Sequence, residues 1–222
     1  MNTKRLIGST VDFKGQRPVE VGQRMVAGRL SLDFANLVPR AHDLSWQEFV
    51  EFLVESRVVS AERGEKLEAL EQGEPTVIDG VLLKVLQLRE CIRAIFSAVE
   101  EGRDFPRAWV KPINEILQVT EGHDELVLEA GRWRLQFLGR ETGLEWLLAA
   151  IARSAAELVV EGREARIRRC ANQDCRLFFY DDSRTGQRRW CSMAVCGNRH
   201  KVAEFLKRKK GRKDSRKSQS GV

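Results

Sequence analysis

The sequence predicts an α+β protein that is mainly α: a helical N-terminal domain with a small β-hairpin, then a small C-terminal treble-clef-like zinc domain. Three observations carry this. Apolar residues recur at helical spacing through most of residues 45–160, two β-like runs flank Ala130-Gly131, and four of the five cysteines lie within 27 residues near the C-terminus.

The elements follow in order. Residues 1–24 are polar and glycine-bearing and are expected to be partly loose. "RMVAGRLSLDFANLV" (24–38) reads as a strand running into a turn or short helix. In "SWQEFVEFLVESRVV" the pair Ser45 and Glu48 has capping-box spacing ahead of an apolar helical pattern. "SAERGEKLEALEQ" is a more polar helix closed by Gly73-Glu74-Pro75. The strongest helical signal is "DGVLLKVLQLRECIRAIFSAVEEG", where Val81, Val85, Leu88, Ile92, Ile95 and Val99 form one stripe facing a core. A further helix starts near Pro112. "ELVLEAGRWRLQFLG" reads as the hairpin, and Thr142 with Glu145 opens a helix that ends near Gly162.

After Gly162 the texture changes, and the domain boundary is placed there. Residues 25–162 form the front domain, 163–210 the cysteine-bearing domain, and 211–222 a disordered basic tail. Charge divides the same way. Residues 163–222 carry 18 Lys/Arg against 6 Asp/Glu, a balance of +12, which leaves residues 1–162 at −6 within the chain total of +6. The basic end suits an anionic polymer; the acidic front does not. No apolar run reaches the roughly 18 residues a membrane span needs. "MNTKRLIGSTVDFKG" lacks the apolar segment of a signal peptide, so cytoplasmic residence and free or metal-bound thiols are expected.

Cys170, Cys175, Cys191 and Cys196 are spaced C-x4-C, fifteen intervening residues, C-x4-C. Four thiolates close a tetrahedral zinc site, and one structural Zn2+ is expected. "ANQD" between the first pair is turn-forming. "RLFFY" and "QRRWC" flank the polar turn "DDSRTG" and read as two short strands; the second cysteine pair then leads into a helix. A unit this small buries too little apolar area alone, so the metal is expected to fold it. The other readings are buried thiols or a redox pair, with His200 as a competing ligand. Cys91 reads as a packing residue.

Gly197-Asn198 reads as a tight backbone followed by an N-cap. Beyond it Val202, Phe205 and Leu206 form a narrow apolar stripe expected to pack on the zinc unit. Arg184, Arg188, Arg189, Arg199, Lys201, Lys207, Arg208 and Lys210 are the candidate nucleic-acid contacts, with arginines for guanine edges and lysines for phosphates. Phe178, Phe179, Tyr180 and Trp190 either stack on single-stranded bases or form the domain's own small core.

"RRCANQDC", "LFFYDDSR" and "RRWCSMAVCGNR" closely resemble the CGNR-type zinc finger, whose name-giving residues stand here as Cys196, Gly197, Asn198 and Arg199. "LSLDFANLV" and "LRECIRAIF" resemble ABATE, the domain that usually precedes that finger. Together the likeness covers about residues 25–208. It implies a bacterial stress-induced transcription regulator, four cysteine metal ligands and a DNA-binding finger.

Residues 1–162 contain no P-loop, no dinucleotide fingerprint and only His42 and His123 as histidines, so enzymatic activity is not expected. Arg89 and Arg93, four apart at the edge of the core stripe, and Asp33 and Asn36 in "LDFAN" are candidates for a small anionic effector. The other reading gives Arg89 a neighbouring carboxylate and Asn36 a helix cap. The expected function is a DNA-binding regulator whose front domain senses a ligand or dimerises. The alternatives are an RNA- or ribosome-associated zinc protein and a protein–protein adaptor.

Overall fold

The computed structural model describes residues 25–37, 44–119, 122–129, 132–139 and 143–219. The N-terminal segment 1–24, His42, Thr142 and the side chains of His123 and Lys210 lie outside the described residues. Seven helices and two strand pairs occur among those residues: α1 (Leu30–Ala35), α2 (Trp46–Glu55), α3 (Ala61–Gly73), α4 (Pro75–Glu100), α5 (Lys111–Val119), β1 (Gly122–Glu129), β2 (Arg132–Gly139), α6 (Ala149–Glu161), β3 (Ile167–Arg169), β4 (Phe178–Tyr180) and α7 (Asn198–Gln219).

Local chemistry accounts for most of these boundaries. Ser45 caps α2 by accepting the Glu48 N–H at 3.2 Å, and the Glu48 carboxylate accepts the Ser45 N–H at 3.1 Å, completing the reciprocal box. Ser60 caps α3 by accepting from the Arg63 N–H. α4 begins at Pro75, four residues before the predicted Asp79, because proline at the first helical position needs no N–H partner. Its stripe behaves as expected: Val81, Val85, Leu88, Ile92 and Ile95 are buried. β1 and β2 pair antiparallel from Gly122–Gly139 to Glu129–Arg132. Gly64 lets α3 approach α2, since a Cβ there would stand 2.5 Å from Val54 Cγ2.

Four expectations are corrected. "RMVAGRLSLDFANLV" supplies no strand among the described residues; it folds as an irregular strap, 25–29, leading into α1. The helix after the hairpin starts with a 3-10 turn, Glu145–Leu148, and α6 has no side-chain cap. "QRRWC" is not a strand: β4 pairs with β3, Ile167 opposite Tyr180 and Arg169 opposite Phe178. The C-x4-C turn is itself the connection between the two strands, so β4 finds its partner upstream. Finally, α7 continues through Gln219 where a disordered tail was expected. Its sequence is rich in Lys and Arg, which favour helix.

The cysteine-bearing segment does not fold as a separate ball. A single buried cluster runs from the front helices into Ile167, Cys170, Leu177, Phe178, Phe179, Cys191 and Cys196. Phe178 meets Phe96 of α4 edge to face, with ring centroids 6.5 Å apart. The Asn36 carboxamide closes the seam: its Nδ2 donates to the Phe178 carbonyl at 2.7 Å and its Oδ1 accepts the Phe178 N–H at 2.8 Å. Asn36 thus substitutes for a neighbouring strand on the open side of β4. The Tyr180 N–H donates to the Ala27 carbonyl at 2.7 Å, and the Tyr180 hydroxyl donates to Glu161 at 2.9 Å. Arg169 bonds Glu100 at 3.2 Å and Ser97 at 2.8 Å while lying 4.3 Å above the Phe178 ring.

Asn36→Ala is expected to destabilise the zinc-loaded protein by about 2–4 kcal/mol, since it leaves a buried N–H and a buried C=O without partners. Chemical denaturation checks this. Asn36→Asp should recover little, because a carboxylate has no donor for the Phe178 carbonyl.

Candidate metal centre and nucleic-acid interface

The turn between β3 and β4 is built by Asn172. Its carbonyl accepts from the Cys175 N–H at 2.9 Å and the Arg176 N–H at 3.1 Å, and its side-chain oxygen accepts the Asp174 N–H at 3.1 Å. Arg176 leaves the turn in the left-handed region at φ 52°. The Cys170 N–H donates to Leu177 O at 2.9 Å, so both sulfurs of the first pair face the same point. The second pair comes from a π-helical turn, Met193–Gly197, capped by Ser192, whose Oγ accepts from the Val195 N–H at 3.3 Å.

The four Sγ atoms lie within 4.8 Å of one another. Cys175 and Cys191 are 3.6 Å apart and Cys191 and Cys196 3.8 Å. Thiolates bound about 2.3 Å from one zinc stand about 3.8 Å apart, so the cluster fits a tetrahedral ion. The protonation chemistry points the same way. Hydrogen bonds from Cys175 and Cys191 draw the Cys170 thiol far below its usual range, and the thiolate so formed pushes those of Cys175 and Cys191 up. Four thiolates this close repel one another unless a dication joins them. Cys170, Cys175, Cys191 and Cys196 would hold the zinc, and its chemistry is structural. Asn172 Nδ2 donates to Cys196 Sγ at 3.6 Å, a polar support for that ligand. His200 stands outside the cluster, its ring 4.8 Å from that of Trp190. Cys91 is also elsewhere, its thiol hydrogen-bonded to the Trp109 carbonyl and pushed up to about 12 by burial.

The loop "DDSRTG" is organised by Asp181, which is fully buried. It accepts from Arg168 Nε at 3.0 Å, the Ser183 N–H at 3.1 Å, the Ser183 hydroxyl at 2.5 Å and the Arg188 N–H at 3.0 Å. Burial would raise its pKa; those bonds and the Arg168 charge outweigh it and hold the carboxylate below its usual range. Sequence reasoning missed both Asn172 and Asp181 as functional supports, although each sat in a stretch read as a turn.

The candidate nucleic-acid residues separate by environment. Arg184, Arg189, Arg199, Lys201, Lys207 and Arg208 are exposed. Arg188 is an internal brace: it bonds the Trp190 carbonyl at 3.0 Å, the Cys191 carbonyl at 2.5 Å and Asp182 at 3.3 Å, and lies 4.8 Å above Phe179. Two details of the helix entry differ from expectation. Gly197 has no left-handed backbone; it leaves room for Met193, whose Sδ would be 2.4 Å from an added Cβ. Asn198 is helical, and its side chain donates backwards to the Ala194 carbonyl at 3.0 Å instead of capping α7. The apolar stripe does not pack on the zinc unit either: Val202, Phe205 and Leu206 are 58%, 65% and 57% exposed.

The effector candidates all contact backbone. Arg89 and Arg93 donate to the carbonyls of Leu37 and Ala35 at the end of α1, and Arg89 also pairs with Glu90 at 3.0 Å. Burial lowers the Arg93 pKa to about 10, and the positive charges of Arg89 and Arg169 add to that, so it stays cationic at neutral pH. Asn36 holds the finger, as described. Asp33 accepts the Ala27 N–H at 2.9 Å and so shapes the strap that meets Tyr180.

Two tests follow from this geometry. Metal analysis should return one zinc per chain for the wild type and for Cys91→Ser but none for Cys196→Ser, and chelation should red-shift tryptophan emission as Trp190 loses its support. Burial of Asp33 raises its pKa from 3.8 to about 7, against the lowering effect of the Ala27 and Val26 N–H groups. The folded protein therefore keeps a proton that the unfolded chain has released between those values. Its stability relative to Asp33→Asn should be highest at low pH and fall as pH rises towards 7, by up to roughly 1.4 kcal/mol per pH unit, and level off above that. Unfolding curves of both proteins from about pH 5.5 upward measure it; a flat difference would contradict it.

Comparison with known families agrees with the geometry. Residues 166–209 match the CGNR zinc finger, which contains all four cysteines, and residues 28–162 match ABATE, described as "Putative stress-induced transcription regulator". A search of curated proteins finds no match. The ABATE match alone spans more than half of the 222 residues, and the chain belongs to that family, with a CGNR zinc finger at its C-terminal end.

Proposed function

We propose that the protein is a DNA-binding transcription regulator without catalytic activity, in which one zinc ion per chain organises the finger and α7 contacts duplex DNA. The observation that supports this most is the state of the basic groups. Arg184, Arg199, Lys201 and Arg208 are exposed and form no ion pair among the described residues, whereas Arg168, Arg169 and Arg188 are all bonded within the fold. Cations left unpaired on a rigid, metal-organised unit suit a phosphate backbone. The acidic front half would keep the nucleic acid on the finger side.

The reading as a single-strand RNA binder loses most of its stacking surface. Phe178 and Phe179 are buried, Tyr180 is covered by Arg29 at 4.2 Å, and Trp190 is taken by His200 and Arg189. For the front domain we propose sensing or dimerisation. A concavity of about 860 Å³ between α3 and the start of α4, bordered by Arg63, Lys66, Leu70, Val77 and Trp146, is large enough for a small effector. No helix among the described residues is long and apolar enough to cross a membrane.

The experiment is selection from a random duplex library with the zinc-loaded protein and with Cys196→Ser. A motif enriched only by the wild type is expected, and a palindromic one would support a homodimer. Affinity should fall by roughly three to five decades between about 50 and 200 mM salt if several phosphates are contacted. Salt-insensitive binding, or equal enrichment by the variant, would contradict the proposal.

A further inference from the structure

The exposed apolar stripe of α7 is not explained by phosphate contacts. α7 has an inner and an outer side. His200 is exposed but sets its ring against Trp190, and Glu204, about 40° from it around the helix, is half-buried and paired with Lys207 at 3.5 Å. Val202, Phe205 and Leu206 lie on the outer side, more than half exposed, and Val202 and Leu206 border a shallow apolar groove that continues to Ala194 and Val195. Taking 100° per residue, Arg199 borders the stripe on the Leu206 edge and Lys201 and Arg208 border it on the Phe205 edge, while Lys209 closes it one turn on. The one acidic residue in this stretch, Glu204, is on the far side. An occupant must therefore offer an apolar strip between two anionic rims.

The major groove of duplex DNA has that cross-section. It is about 12 Å wide and admits an α-helix, phosphates line both rims, and the 5-methyl group of thymine is the apolar group on its floor. Resting on the DNA reading above, we infer that the Val202–Leu206 stripe lies on the groove floor against thymine methyls, so that the finger discriminates bases by a methyl group as well as by charge. Arg199, Lys201 and Arg208 then face the rims, and Glu204 points away from the phosphates. This assigns the apolar side chains a role in specificity and the basic ones a role in affinity.

Replacing thymine by deoxyuridine removes only the methyl group and tests this directly. The zinc-loaded full chain is titrated with a short A·T-rich duplex and with the same duplex carrying deoxyuridine throughout. The uracil duplex is expected to bind about four-fold more weakly for each methyl contacted. The triple variant Val202→Ala, Phe205→Ala, Leu206→Ala should bind both duplexes equally and keep the wild-type salt dependence. All three side chains are exposed, so the fold is retained, and circular dichroism checks it. Equal, salt-dependent binding of both duplexes by the wild type would overturn the methyl contact and leave the DNA reading standing. Discrimination that persists in the triple variant would also overturn it. Absence of salt-dependent binding to either duplex would instead overturn the DNA reading itself.

Discussion

Four sulfurs within 4.8 Å are the constraint on which the C-terminal half depends. Thiols so close cannot all ionise alone, and once ionised they cannot stay together without a cation. A dication settles both problems and contributes on the order of 10 kcal/mol or more in small zinc modules. The turn at Asn172, the π-helical turn at Met193–Gly197 and the start of α7 are fixed relative to one another because each carries or adjoins a ligand. Zinc, on this account, does not meet DNA. It sets the direction in which α7 leaves the protein.

The second constraint is the seam between the finger and the front helices. Asn36 completes the open edge of β4, Phe178 enters the core beside Phe96, and Arg169 is neutralised by Glu100. These contacts lie close together, so the finger is held against α1 and α4 through groups that belong to the front domain. Asp33 and the strap it shapes belong to the same assembly. A change in α1, whether by protonation of Asp33 or by an effector elsewhere in the domain, would reach β4 through two residues of chain. The front helices and the finger thereby share one connected core.

How much of this was legible in the sequence depended on range. The Ser45–Glu48 box, the stripe from Val81 to Ile95 and the two C-x4-C pairs are local patterns whose geometry follows from spacing, and they stand as read. Asn36 was noticed, but its partner lies 142 residues away, and no periodicity links them. "QRRWC" looked like a strand because it and "RLFFY" flank a polar turn; the partner of β4 was instead the segment before the knuckle, since the knuckle is already a hairpin connection. The α7 stripe was legible as a stripe. What would cover it was not, because amphipathic spacing records that a face is apolar and not which molecule meets it. Arg188 illustrates the same limit: its charge suggested a phosphate, yet its bonds are to the carbonyls of Trp190 and Cys191.

On the proposed function, a zinc-organised finger docked on the front helices presents the outer side of α7 to duplex DNA. Hydrogen exchange of the full zinc-loaded protein, with and without a saturating duplex, tests it most directly. Slowed exchange is expected over residues 199–209, with α2 and α3 unchanged. Protection confined to the front helices, or none anywhere along α7 at saturation, would contradict it.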